Sequence, residues 1–317
     1  MQTPDVTILL PAFDEEKSIR NVIEDIRSSL AGAPFPYEIL VVNDGSTDET
    51  AEIAVGAGAR VFSHQQRRGA GAAIKTGILE AQGENILLMD ADGSYPAHAI
   101  PRMLAELARF RQVVGARKVE AGTVPWLRAF VKYLLRKLGE FFVRQPIPDI
   151  NSGMRAFGRQ DALAFFHLLP DSHSCVSTLT LCFIGMGVPV SFVPIDYLPR
   201  VGKSKFHVIT DTFRFFVQIL RSVTYFAPLR VFLSTSLILF LLATGKSAFD
   251  IYRRWDLEES DVILYTFSAV TAVLGLLADL IARQLRKTLI DDLFRRPVRV
   301  RNERGPGSSG LSDTPGK

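Results

Sequence analysis

The chain has 317 residues, 47% of them hydrophobic, and a net charge of +4; that length holds one large domain or two modest ones. Its mean hydropathy of +0.16 is high for a fully soluble enzyme and points to a separate apolar segment. The two cysteines, Cys175 and Cys182, lack zinc-ligand spacing and exclude a disulfide framework, so both read as small buried side chains in a reducing compartment.

The first residues, MQTPDVTILLPAF, contain no basic stretch leading into an apolar core, so the domain that follows is expected on the cytoplasmic side of a membrane. Residues 6–12 read as a buried strand. Residues 18–30 have helical spacing, with Ile19, Val22, Ile23 and Ile26 on one face. A second strand over 37–43 ends in Asn-Asp-Gly-Ser. Helix over 47–57, extended chain over 59–63, helix over 71–81 and extended chain over 85–89 follow, then helix over 100–110 and extended chain over 112–115. Strands and helices alternating at this spacing make a parallel sheet with crossover helices. Such sheets bind ligands at the carboxyl ends of their strands. Here those ends carry Asp14 and Glu15, Asp44, and Asp90 and Asp92.

Residues 126–143 read as a basic amphipathic helix with Arg128, Lys132, Arg136 and Lys137. Residues 149–157, Asp-Ile-Asn-Ser-Gly-Met-Arg-Ala-Phe, leave a turn for a strand or loop. Residues 188–193 read as a strand and 200–205 as a basic loop. Over 206–226 aromatic and aliphatic residues recur at helical spacing, which favours a helix lying in a membrane interface. Two charge-free runs follow, 231–245 and 262–278. Each is slightly short of the ~20 residues a crossing needs, but flanking Arg230 and Lys246 can snorkel. The short spacer predicts an antiparallel transmembrane hairpin with both chain ends on one side. The basic residues from Arg283 to Arg304 fit the positive-inside rule, so the charge argues for lipid and phosphate rather than nucleic acid. The domains expected are 1–205 cytoplasmic and catalytic, 206–228 interfacial, 229–283 the hairpin, and 284–317 a basic, largely disordered tail.

Asp90-Ala91-Asp92 directly follows the strand over 85–89. Two carboxylates at i and i+2 of a strand end can converge on one hard cation, Mg²⁺ or Mn²⁺, that neutralises charge on a departing diphosphate. Asp44 suits hydrogen bonds from a nucleobase or ribose, while Ser46 or Thr47 can cap the next helix. Pro11, Ala12, Asp14 and Glu15 end the first strand in the same way. Arg67-Arg68-Gly69-Ala70-Gly71 opens the helix that carries Lys75, and its glycines admit close backbone approach to an anion. It lacks the dinucleotide fingerprint and the Walker lysine. The histidines show no ligand spacing, and His167 and His173 read as surface residues.

LLPAFDEE, VVNDGSTDET, RRGAGAAIKTG, DADGS, VVGARK, DINSGMRAF and RVGKSK occur in this order. Over residues 5–206 the chain resembles the family-2 inverting glycosyltransferases, and within them the polyprenyl-phosphate branch typified by dolichol-phosphate mannose synthase. The resemblance implies a GT-A-type α/β fold, a nucleotide-sugar donor such as GDP-mannose or UDP-glucose, and a polyprenyl phosphate acceptor. It implies that Pro11, Ala12, Asp14 or Glu15 hold base and ribose and that Asp44 contacts the base. Asp90 would touch the donor and Asp92 ligate the metal, with Arg117 facing the phosphates. Arg128 would bind the acceptor phosphate, and Arg200, Ser204 and Lys205 would close over the donor. The sequence departs from that pattern at Ser94, where glutamine is usual, and at Lys132, where serine is frequent. Asp149 is open to two readings, a base or a residue that orients Arg117 or Arg155. A polysaccharide synthase would carry Q-x-x-R-W near the active site. The nearest match, Ile251 to Trp255, has isoleucine for glutamine and lies between the two apolar runs. A non-enzymatic scaffold is disfavoured by the retained Asp92. A homo-oligomer stays open.

Overall fold

The computed structural model describes residues 3–118, 148–172, 174–199, 228–255 and 258–294. One seven-stranded sheet organises the catalytic half, in the order β3-β2-β1-β4-β6-β5-β7. Its strands are β1 (Val6–Ala12), β2 (Tyr37–Asn43), β3 (Arg60–Ser63), β4 (Asn85–Leu88), β5 (Gln112–Arg117), β6 (Arg155–Gly158) and β7 (Val190–Ile195). β1 pairs in parallel with β2 and β4, and β2 with β3. β1, β2 and β4 are largely apolar because helices cover both faces, whereas β3, at the edge, is partly exposed. One face packs on α1 (Ile19–Ser29), whose Ile19, Val22, Ile23 and Ile26 are buried as the spacing predicts. The other face packs on α3 (Ala70–Glu80), and Gly77 of that helix sits against the Leu9 side chain with no room for a Cβ. Helices α2 (Thr50–Gly56) and α4 (Ile100–Glu106) complete the crossovers.

β6 runs antiparallel between β4 and β5, while β5 pairs in parallel with β7. The sheet is therefore mixed but mostly parallel. Two helices follow β6: α5 (Arg159–Ala164), and α6 (Cys175–Gly185), which the sequence reading missed. α6 is buried nearly all round, so its sequence shows no polar face. Both cysteines lie in it, buried and reduced.

The C-terminal part is a pair of long helices, α7 (Pro228–Arg254) and α8 (Glu259–Phe294). The apolar runs looked short, but each belongs to a 26-residue candidate span, about 39 Å at 1.5 Å per residue. A buried soluble pair would hide its leucines, whereas Leu237 is 57% and Leu242 60% exposed. The helices meet through small residues. Ser236 Oγ donates to the Ser268 carbonyl at 2.8 Å, and Ser268 Oγ returns the bond at 2.9 Å. Gly275 admits the Phe232 side chain. Such packing suits helices in lipid. At the hairpin tip Lys246 pairs with Asp250, Glu258 and Asp261. The predicted helices over 126–143 and 206–226 and the basic loop over 200–205 lie outside the described residues. The tail expected to be disordered from residue 284 is instead helical as far as Phe294, and its remainder, 295–317, lies outside them.

Candidate active site

The chain leaves β1 for β2 on one side and returns to β4 on the other, so a crevice opens at the carboxyl ends of β1, β2 and β4. The predicted acidic residues meet there. Asp14 holds a left-handed backbone, φ 52°, as its turn requires. Its amide donates to Ser46 Oγ at 3.0 Å, and its Oδ1 accepts the Thr47 amide at 2.9 Å. The loops after β1 and β2 are thus one unit. The Glu15 amide donates to Thr50 Oγ1, and the Glu15 carboxylate accepts from Ser18 Oγ. Ser46 and Thr47 therefore bind the β1 loop rather than cap α2. The N-cap position of α2 is Glu49, which makes no side-chain cap bond; Asp48 before it accepts the Thr50 amide at 3.1 Å.

Asp44 is buried, and three bonds converge on it. Oδ1 accepts from His64 Nδ1 at 2.8 Å and from the Arg68 amide at 2.9 Å; Oδ2 accepts the Gly69 amide at 2.8 Å. A carboxylate offers about four acceptor positions, so most of this one is used in shaping the turn before α3. Gly45 is required beside it, at φ +72° and with Arg67 N only 2.6 Å from a notional Cβ. Arg67 stacks over the Phe13 ring at 4.2 Å. Lys75 goes elsewhere. Its ammonium bonds Asp171 at 2.8 Å and sits over the Phe166 ring.

At the end of β4, Asp92 is 7% exposed and its Oδ1 accepts both the amide and the hydroxyl of Ser94. The residue standing where the family pattern has glutamine therefore fixes the aspartate. Ala91 points into the core. The Asp90 carboxylate lies against Gly153, where a Cβ would come within 2.6 Å. The Gly153 amide donates to the Tyr95 hydroxyl at 2.6 Å. Burial, with the Asp90 charge beside it, raises the Tyr95 pKa and keeps that hydroxyl protonated.

Arg117 ends β5. Its Nε and Nη2 clasp both Asp149 oxygens at 2.7 and 2.9 Å, and its guanidinium lies 5.2 Å from the Tyr197 ring centre. Asp149 also accepts the Arg117 and Asn151 amides. Of the two readings open for Asp149, the clasp on Arg117 is the contact that the orienting one expects. Arg155 is fully buried and bonds the carbonyls of Ser152 and Val176 and, at 2.7 Å, Thr180 Oγ1. Burial lowers its pKa to about 10, still charged at neutral pH. It pins the turn that carries Gly153 to α6, a role the sequence did not expose. The sequence also missed His64, which is buried. His167 is exposed as expected. Arg128, Lys132, Arg200, Ser204 and Lys205 lie outside the described residues.

Two carboxylates, Asp92 buried and Asp90 half-buried against Gly153, offer hard oxygen donors. Among the described residues no cluster of three acidic, histidine or cysteine side chains could cage an ion. That donor set fits Mg²⁺ or Mn²⁺, which are held by one or two carboxylates plus substrate phosphates.

Residues 7–165 match the glycosyl transferase family 2 description, and residues 227–284 match the GtrB C-terminal hairpin. The chain belongs to glycosyl transferase family 2. This glycosyltransferase is 32% identical to glycosyltransferase AglJ of Haloferax volcanii over 64% of its own length and 67% of that protein. It is 29% identical to the dolichyl-phosphate hexose transferase of the same organism, over 63% and 86%. Among solved structures, glucosyl-3-phosphoglycerate synthase from Mycobacterium tuberculosis, bound to Mn²⁺, UDP-glucose and phosphoglyceric acid, superposes with a TM-score of 0.57. That match is 21% identical and covers 69% of this chain and 80% of that one. The likeness fixes the fold as GT-A-like. The hairpin and its apolar surface mark the family 2 enzyme as membrane-associated.

Proposed function

We propose that this transferase moves a hexose from a nucleoside diphosphate sugar to the phosphate of a polyprenyl phosphate, with inversion at the anomeric carbon. The observation that carries the reading is one chain joining a strand-end carboxylate site to an apolar hairpin. The first suits a diphosphate donor, the second an acceptor that lives in lipid. The similarity to the dolichyl-phosphate hexose transferase supports the same acceptor class.

Polyprenyl phosphate is already an anionic nucleophile at neutral pH, so the reaction needs no strong general base. One acceptor oxygen bonds the anomeric carbon as the bond to the donor phosphate breaks. The nucleoside diphosphate departs with the electron pair. A single in-line displacement inverts the centre. The protein's part is placement and charge stabilisation. Asp92 and Asp90 would hold Mg²⁺ or Mn²⁺, which when bound neutralises charge on the departing diphosphate. Pro11, Ala12, Asp14, Glu15 and Asp44 form the wall for base and ribose. Arg117, oriented by Asp149, faces the phosphates. Arg128 and Lys132 grip the acceptor phosphate, and Arg200 and Lys205 close over the donor.

The hairpin crosses the inner membrane with the catalytic domain on the cytoplasmic side. A polysaccharide synthase is disfavoured because Ile251 to Trp255 lies at the hairpin tip, with Trp255 90% exposed. The deciding experiment incubates the purified chain and undecaprenyl phosphate with each of a panel of radiolabelled nucleotide sugars. One donor should move label into the organic phase. Label that stays aqueous with every donor, or enters a polymer, would overturn the reading.

A further inference from the structure

We infer that His64 is a positioning residue of the donor site, setting the Asp44 carboxylate and through it the glycine turn at the start of α3. The inference rests on the donor-site reading above and goes beyond it by assigning a residue that never touches substrate.

His64 follows β3, and its side chain is 3% exposed. Both ring nitrogens are bonded. Nδ1 lies 2.8 Å from Asp44 Oδ1, and Nε2 lies 2.9 Å from Thr76 Oγ1 on α3. The imidazole is thus a spacer of fixed length between the end of β2 and the body of α3. A carboxylate only accepts, so Nδ1 is the donor in the bond to Asp44, while Nε2 and the Thr76 hydroxyl share the other. Asp44 passes the constraint on. Its remaining bonds hold the Arg68 and Gly69 amides, and Gly69 sits at φ +105° with Asp171 O 2.7 Å from a notional Cβ. The turn that would approach the diphosphate is therefore shaped by a carboxylate, and the carboxylate is shaped by His64. A buried carboxylate that loses one of its donors moves to find another.

The test uses the full-length protein in detergent and two amide substitutions. His64→Asn can place its amide nitrogen near the Nδ1 position and keep the bond to Asp44. His64→Gln reaches the Nε2 position and loses it. UDP and GDP with Mn²⁺ are the binding probes in calorimetry, alongside KM, kcat and melting temperature. Expected for His64→Gln is a Kd and donor KM raised about tenfold to a hundredfold, with kcat at saturating donor within about twofold. His64→Asn should stay within about threefold of wild type. Thr76→Val, which leaves the Asp44 bond in place, should raise KM by less than His64→Gln does and serves if His64→Gln does not fold. Equal damage from Asn and Gln that tracks a loss of melting temperature would reduce His64 to a packing residue and overturn the inference. So would unchanged KM in both His64→Gln and Thr76→Val. Wild-type protein that binds neither UDP nor GDP would instead overturn the donor-site reading itself.

Discussion

Replacing Gly153 with alanine tests whether Asp90 must stand where the structure holds it. The glycine is outside the left-handed region, so an alanine is conformationally allowed and only its methyl matters. That methyl would lie 2.6 Å from Asp90 Oδ2 and 2.7 Å from Oδ1. Ordinary contact begins near 3.4 Å, so the carboxylate must retreat by about 0.8 Å. An aspartate has no long flexible end to absorb the shift. A misplacement approaching 1 Å at a reacting centre costs about 100-fold in rate, equal to about 2.7 kcal/mol of transition-state stabilisation. Overpacking alone costs about 1–3 kcal/mol of stability, a drop of several degrees in melting temperature for a domain of this size. The assay is transfer of label from the donor to undecaprenyl phosphate at saturating donor, with Mn²⁺ affinity read by electron paramagnetic resonance. Expected are a loss of about 100-fold in rate and weaker Mn²⁺ binding in a protein that still melts cooperatively. A Gly153→Ala enzyme with wild-type rate and Mn²⁺ affinity would show that Asp90 is not held for chemistry.

Asp92→Asn keeps the volume but removes a hard anionic ligand, so transfer should fall by at least about 100-fold. EDTA should silence the wild type and Mg²⁺ or Mn²⁺ restore it; full activity in chelator would remove the metal from the mechanism. Arg128→Ala should abolish transfer even in neutral detergent while leaving nucleotide-sugar binding near wild type, and near-normal detergent activity would strike Arg128 from the site. In intact cells a cysteine at Glu258 should react with an impermeant reagent and one at Ser308 should not; the reverse pattern would invert the hairpin. Burial pushes the Cys175 thiol up to about 12 and raises that of Cys182 as well. Only about one Cys175 in ten thousand is thiolate at pH 8, so iodoacetamide should label the native chain negligibly and the unfolded chain fully. Rapid labelling of native protein would contradict the burial of α6.

The nucleotide-binding half was legible because its signals are local. The β2 strand falls on residues 37–43 as read, and α1 buries the four residues its spacing selected. The helix over 100–110 ends at Glu106, and β5 runs on to Arg117, which brings that arginine to the strand end. The direction of β6 was not legible. Four residues, Arg-Ala-Phe-Gly, carry no mark of parallel or antiparallel pairing. α6 was hidden for the opposite reason, since it is buried nearly all round, its Ser177, Thr178 and Thr180 included, which leaves no polar period to detect. The acidic strand ends were readable as a cluster. Their partners were not, because His64 meets Asp44 twenty residues away and Gly153 meets Asp90 across sixty-three. Spacing along the chain gives no account of such neighbours; only the sheet order does. Ser46 and Thr47 carried a genuine capping signal, and the β1 loop outcompeted α2 for it.

The placement of β6 between β4 and β5 sets a timetable for synthesis. The first four strands find all their partners among themselves, apart from one edge of β4, and can close as soon as residue 88 has left the ribosome. β5 cannot join them. Both its neighbours, β6 and β7, are made later, and the nearer begins at Arg155. At 5–20 residues per second that interval lasts about 2–8 s. Throughout it Gln112–Arg117, five of whose six residues are buried in the finished fold, has no strand to pair with. The open edge of β4 is the same edge that later receives Arg155. Gly153 thus reaches the crevice no earlier than the docking of β6, and Arg117 gains its strand partner, Ile195, only when β7 follows.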